Sequence, residues 1–336
     1  MKVRRGLLLI MSAGITGMIL LVAFYGIGAI LAGVFAIGWG LGAVSLLHLL
    51  PMLCSSLGWR ALLQATWPAP LHHYLWARWI REAIDGLLPV GQIGGEFVGA
   101  HILAKRGARP NLSLAGCILD MTMEVVTQFF FGLLGLALLV LDHGYDGTVH
   151  WLAVGLAITA PALIGFALAQ RFGLFYVVES VLEKVAFWLG FASIGGIAGL
   201  HEAARTLHRD RRGMAVGFFW HGLSWLTGAS EIWLALRLLG HPVGIAEALI
   251  LESLGQAVRS AAFLVPGALG VQEGGYMLLG GLVGLSPEAG LMLSLVKRVR
   301  ELVLGLPALA AWQIVENRLY LHRPAATSSG PAANGP

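Results

Sequence analysis

A helix breaker placed inside strongly apolar sequence, and used twice, sets the main limit on how this chain can fold. Leu87-Leu88-Pro89-Val90-Gly91-Gln92-Ile93-Gly94-Gly95-Glu96 returns as Leu264-Val265-Pro266-Gly267-Ala268-Leu269-Gly270-Val271-Gln272-Glu273-Gly274-Gly275. One shift of 177 residues carries Pro89 to Pro266, Glu96 to Glu273, Asp120 to Lys297 and Glu124 to Glu301. Proline removes a helix hydrogen bond and clashes with the preceding turn, and glycine lets the backbone bend. The pattern reads as two broken helices, with breaks at Pro89, Gly91, Gly94 and Gly95 and at Pro266, Gly267, Gly270, Gly274 and Gly275. Close helix packing is the expected role of the paired glycines.

Of 336 residues, 57% are hydrophobic and 12% charged, too few charges to cover a soluble domain of this size. The chain reads as an integral membrane protein. Cys54 and Cys117 lie in apolar segments without metal spacing, as small core residues do. His72 and His73 are adjacent, and His201-Glu202 lacks a second histidine at zinc-protease spacing. No nucleotide-binding loop is present, so neither cofactor nor metal is expected. The run Arg205 to Arg212 reads as a topology and headgroup-attracting feature rather than a nucleic-acid site.

Spacing of apolar segments predicts an all-α polytopic protein of six transmembrane helices and two re-entrant hairpins. Residues 1–33 form the first helix, and 34–141 a unit of helix, broken hairpin and helix. Residues 142–212 hold a fourth spanning helix, then a cytoplasmic amphipathic segment closing in a basic loop; within it, 187–200 is apolar enough to dip inward. Residues 213–320 repeat the unit, and 321–336 form a disordered tail. The leg from Pro68 to Asp85, with Arg78, Arg81, Glu82 and the aromatics Tyr74, Trp76 and Trp79, is too polar to face lipid alone. Trp59-Arg60 suits a membrane interface. Placing Lys- and Arg-rich loops in the cytoplasm puts both termini inside and makes the hairpins enter from opposite faces. That is an inverted repeat with broken helices, a transporter architecture whose site lies between repeats near the midplane.

Asp120 and Glu124 fall in the third spanning helix and Lys297, Arg298, Arg300 and Glu301 in the sixth. At about 1.5 Å per residue these lie roughly 13 to 20 Å deep, where a charge costs about 2.5 to 3.5 kcal/mol on an insertion scale. They must face protein or water. Asp120 and Glu124 are placed to neutralise part of the cationic cluster, and Glu96 and Glu273 stand beside the breaks. These eight residues are the candidate substrate-binding set, with headgroup binding aided by amides freed at the breaks. Arg81 and Arg259, close before their prolines, serve the hairpins or anchor them at the interface. Structural ion pairing is the competing role for every charged member of the set.

Leu87-Leu88-Pro89 to Gly94-Gly95-Glu96, the Pro266 to Gly275 counterpart, and Lys297-Arg298-Val299-Arg300-Glu301 resemble the flippase-like family that includes the transmembrane region of lysylphosphatidylglycerol synthase. Among its branches the sequence looks most like the hopanoid-biosynthesis-associated membrane proteins. The resemblance implies a bacterial inner membrane, a lipid substrate such as a hopanoid or its precursor, and hopanoid-biosynthesis enzymes as partners. It implies a transporter rather than an enzyme, with no catalytic residue assigned. The alternatives are a lipid-headgroup transferase using Glu96 or Glu273 as base, and a non-transporting scaffold for lipid enzymes.

Overall fold

The computed structural model describes residues 37–88, 94–144, 150–158, 199–262 and 270–321, with single positions at 35, 147, 161, 165 and 268. Expectations for residues 1–33, for Pro89, Gly91, Pro266 and Gly267, for 166–198 and for the tail beyond 321 lie outside the described residues. Among the described residues the chain is all α. Its helices are α1 (Gly40–Leu63), α2 (Leu71–Leu87), α3 (Gly94–Lys105), α4 (Pro110–His143), α5 (Leu200–Arg209), α6 (Arg211–Leu238), α7 (Ile245–Ala261), α8 (Val271–Leu282) and α9 (Pro287–Leu321). A further helical stretch covers 150–158.

Local chemistry sets the ends. Pro70 is extended and α2 starts behind it; Pro110 opens α4, where its missing N–H costs nothing. Asp210 caps α6 by accepting the Gly213 N–H at 3.0 Å. Gly270, at φ 76°, precedes α8, and Glu273 Oε2 accepts its N–H at 2.7 Å. At about 1.5 Å per residue, the 24 residues of α1 and 34 of α4 exceed a hydrocarbon core of about 30 Å. Both are apolar enough to cross a membrane. By the same measure the 17 residues of α2 and α7 and the 12 of α3 and α8 fall short of crossing alone.

Two boundaries differ from expectation. Trp59, expected at an interface, is fully buried inside α1, which runs on to Leu63 because Trp59 packs edge-on against buried Tyr74 of α2. The expected basic loop from Arg205 to Arg212 is helical on both sides of Asp210. Leu200, Ala204 and Leu207 bury one face of α5 against α4, which leaves Arg205 and Arg209 outward without breaking the helix.

Apolar packing forms two clusters. Trp59 and Leu62 of α1, Leu112 to Leu119 of α4, and Leu200 and Leu207 of α5 belong to the first, with Trp312 of α9. Val44 of α1, Leu139 of α4, Ile232 and Leu236 of α6, and Leu293 and Val296 of α9 belong to the second. The long helices thread both. α1 and α9 pass from the second cluster to the first, whereas α4 and α6, which starts with Met214 against the first, pass the other way. The short pairs each belong to one side: α2 and α3 bury Tyr74, Ile80, Ile102 and Leu103 in the first cluster, and α7 and α8 bury Ile250, Leu254, Tyr276 and Leu279 in the second. α1 packs on α6, α2 on α9, and α7 on α4.

Polarity is distributed inside out relative to a soluble domain. Leu278 is 77% exposed and Leu46 69%, while Lys297, Arg298, Arg81 and Asp120 are buried. Water-soluble proteins bury such charges rarely, and a membrane-embedded protein must turn them inward.

Candidate functional site

Between the two apolar clusters, where the four long helices cross, a cavity of about 520 Å³ opens. α1 contributes His48 and Ser55, α4 Glu124 and Gln128, α6 Ser224 and Glu231, and α9 Lys297 and Arg300. Three of the short helices reach the same space. Asp85 and Leu87 at the end of α2, Glu96 at the start of α3, and Gln256 and Arg259 near the end of α7 also line it.

One side is built on two arginines spaced i, i+3 along α2. Arg81 holds Asp120 Oδ2 at 2.6 Å and Glu124 Oε2 at 2.6 Å, and pairs with Glu96 as well. Arg78 grips both oxygens of Glu124, at 2.6 and 3.1 Å, and Glu82 at 2.6 Å. A planar guanidinium with five donors is suited to several carboxylates at once. Asp85 accepts the Gly95 N–H at 2.8 Å, fixing α3 to α2.

Opposite, α9 supplies the cations. Lys297 donates to Glu252 at 2.6 Å, and Arg298 to Glu273 at 3.0 Å and Glu301 at 3.2 Å. Arg259 of α7 donates to Glu301 at 2.5 Å and to Gln272 at 2.9 Å. Arg300 reaches Glu231 of α6 at 3.2 Å and contacts His48. Corresponding carboxylates thus share a pattern: Glu96 and Glu124 meet on Arg81, Glu273 and Glu301 on Arg298.

Of the eight expected residues, Glu96, Glu124, Lys297, Arg300 and Glu301 line the cavity, while Asp120, Glu273 and Arg298 are not on its wall and join it through ion pairs. Asp120 and Glu124 neutralise Arg81 and Arg78, whose long side chains reach them from α2, and not the Lys297 cluster. The Gly95 and Gly270 amides beside the breaks are taken by Asp85 and Glu273. Gly95 and Gly275 pack closely, a Cβ lying 2.5 Å from the Arg81 carbonyl at the first and 2.9 Å from Val258 Cγ1 at the second, while Gly274 faces open space. Sequence reasoning gave His48 and Glu252 no role, and left His221 and Glu231 unassigned. Their signal is an ionisable group inside an apolar helix. Among the described residues, no group of three or more His, Cys, Asp and Glu side chains is placed to hold a metal ion.

Apolar helices outside and a charged layer walled by both halves inside define a multi-pass membrane protein. Residues 6–308 match the sequence profile of the lysylphosphatidylglycerol synthase transmembrane region, and the chain belongs to that family. It is also similar to a UPF0104 membrane protein of Methanothermobacter thermautotrophicus, 22% identical over 267 residues, covering 74% of this chain and 75% of that protein. No solved structure matches significantly.

Proposed function

We propose that this protein moves a lipid between membrane leaflets, the polar head passing through the central cavity while the tail stays in the bilayer. One observation carries the reading: the cavity lies where all four long helices change from one apolar cluster to the other, so it stands at mid-depth. A polar layer there lowers the barrier that opposes flipping, the removal of a head from water. Family membership agrees.

The helix directions support an inverted repeat with two re-entrant hairpins. α1 and α6, its counterpart, run oppositely between the clusters, as do α4 and α9. Each short helix pair stays in one cluster, and α2, α3 and α7 each place residues on the cavity wall. Under this reading the hairpins enter from opposite faces of a bacterial inner membrane, with both termini cytoplasmic.

A hopanoid or its precursor, or another lipid with a polar or anionic head, is the proposed cargo, with hopanoid-biosynthesis enzymes as partners. Transport is favoured over headgroup transfer because Glu96 and Glu273, the bases a transferase would use, are each held by an arginine.

Leaflet exchange of fluorescent phospholipids and of a labelled hopanoid, in liposomes holding the purified protein, tests this. Wild type accelerating at least one lipid, with Arg300→Met folded and inactive, is the expected result. No acceleration of any lipid by folded wild type would refute the reading.

A further inference from the structure

Resting on the transport reading above, we propose that His48 is a proton-binding site that couples proton movement to passage of the lipid head. Groups from four helices meet there. His48 of α1 has Nδ1 2.9 Å from Glu231 Oε2 of α6 and Nε2 3.5 Å from Glu82 Oε2 of α2, and Arg300 Nη1 of α9 contacts Nδ1 as well. All four residues line the cavity. Lys297, one turn before Arg300 on α9, is held by Glu252 of α7, Arg298 by Glu273 and Glu301, and Glu301 lies 3.8 Å from Arg300 Nη2.

The conflict at Nδ1 is stereochemical. A guanidinium only donates and a carboxylate only accepts, so one ring nitrogen serves one of them at a time. With His48 neutral, the Nδ1 lone pair accepts from Arg300 and Nε2–H points to Glu82. With His48 protonated, Nδ1–H donates to Glu231 and Nε2–H to Glu82. Arg300 then loses its acceptor on the ring, meets a like charge, and is drawn to Glu301. A proton on His48 therefore relocates a cation in the cavity wall.

Two further observations point the same way. Glu231 Oε1 and Arg300 Nε are both buried without a hydrogen-bond partner, so this arrangement leaves an acceptor and a donor unmet on two residues that are themselves paired. Such groups are costly, and a second arrangement can meet them. The nine carboxylates named in this layer, counting Asp85 and Asp120, also exceed its six arginine and lysine groups. Excess buried negative charge calls for protons. His221 is committed to Asp120. His48 is the histidine facing the cavity, and imidazole changes charge in the physiological range.

The test uses full-length protein in liposomes with fluorescent phosphatidylglycerol and phosphatidylethanolamine, with and without a pH gradient. One proton per lipid under a gradient of about one unit sustains up to about tenfold leaflet asymmetry. Wild type is expected to develop asymmetry, and His48→Gln and Glu231→Gln to lose it whatever their absolute rates. Exchange in wild type without response to the gradient, or a response retained in His48→Gln, overturns the proton site and leaves transport standing. If wild type moves neither lipid, NMR of isotope-labelled histidine in nanodiscs decides the proton site by itself. A signal missing from His48→Gln that titrates between about pH 5 and 8, with a midpoint moved by Arg300→Lys, upholds it. A signal that does not titrate, or ignores Arg300→Lys, overturns it.

Discussion

Asp120 of α4 and His221 of α6, 101 residues apart in sequence, share a hydrogen bond of 2.8 Å with both side chains fully buried. The other oxygen of Asp120 lies 2.6 Å from Arg81. One carboxylate thus ties α4 to α6 and to α2. Removing one member of a buried pair strands the rest and costs about 3 to 5 kcal/mol, whereas apolar replacement of both partners is often neutral. Asp120→Asn should therefore lower thermal stability in detergent markedly, and Asp120→Leu with His221→Leu should lose less than the sum of the single changes. Additive losses would show that the contact carries little coupling.

Arg81→Lys keeps the charge but not the fork that serves Glu96, Asp120 and Glu124 together. Lipid exchange should fall at least about tenfold, equivalent to about 1.4 kcal/mol, with the folded fraction by size-exclusion chromatography close to wild type. Unchanged exchange would remove this triad from the pathway.

Gly95 and Gly274 should respond differently. A Cβ at Gly95 meets the Arg81 carbonyl at 2.5 Å and the Asp85 carboxylate at 2.6 Å, so Gly95→Ala must part α3 from α2, at about 1 to 3 kcal/mol. Gly274 in α8 has nothing within 4 Å, and Gly274→Ala should stabilise by about 0.5 to 1 kcal/mol through helix propensity. Thermal unfolding of both variants checks the contrast.

Glu316 near the end of α9 is buried, but both its partners reach outward: Lys105, at 2.5 Å, is 33% exposed and His101, at 3.5 Å, is 51% exposed. Water screens such pairs, so Glu316→Gln should cost less than about 1 kcal/mol. It should leave exchange unchanged, since none of these residues lines the cavity. A large loss of stability would place this end of the helix in a drier environment than its exposure indicates.

Sequence by itself determined that the chain belongs in a membrane, because 57% apolar residues in long runs have no other stable home. It also located the short helices: α3 and α8, and the starts of α4 and α9, stand 177 residues apart, the same shift that relates the two proline-glycine motifs. The charged residues of α4 and α9 were legible too, since each is an expensive exception in an apolar helix. Tertiary structure alone decided who pairs with whom. Local spacing fixes which side of a helix a residue occupies, yet Arg81 meets Asp120 only because the tertiary fold brings α2 within side-chain reach of α4, and His48 meets Arg300 only because α1 and α9 converge on the cavity. Ion pairing in a low-dielectric layer depends on a few ångströms across separate helices, and those distances follow from packing that no stretch of sequence carries locally.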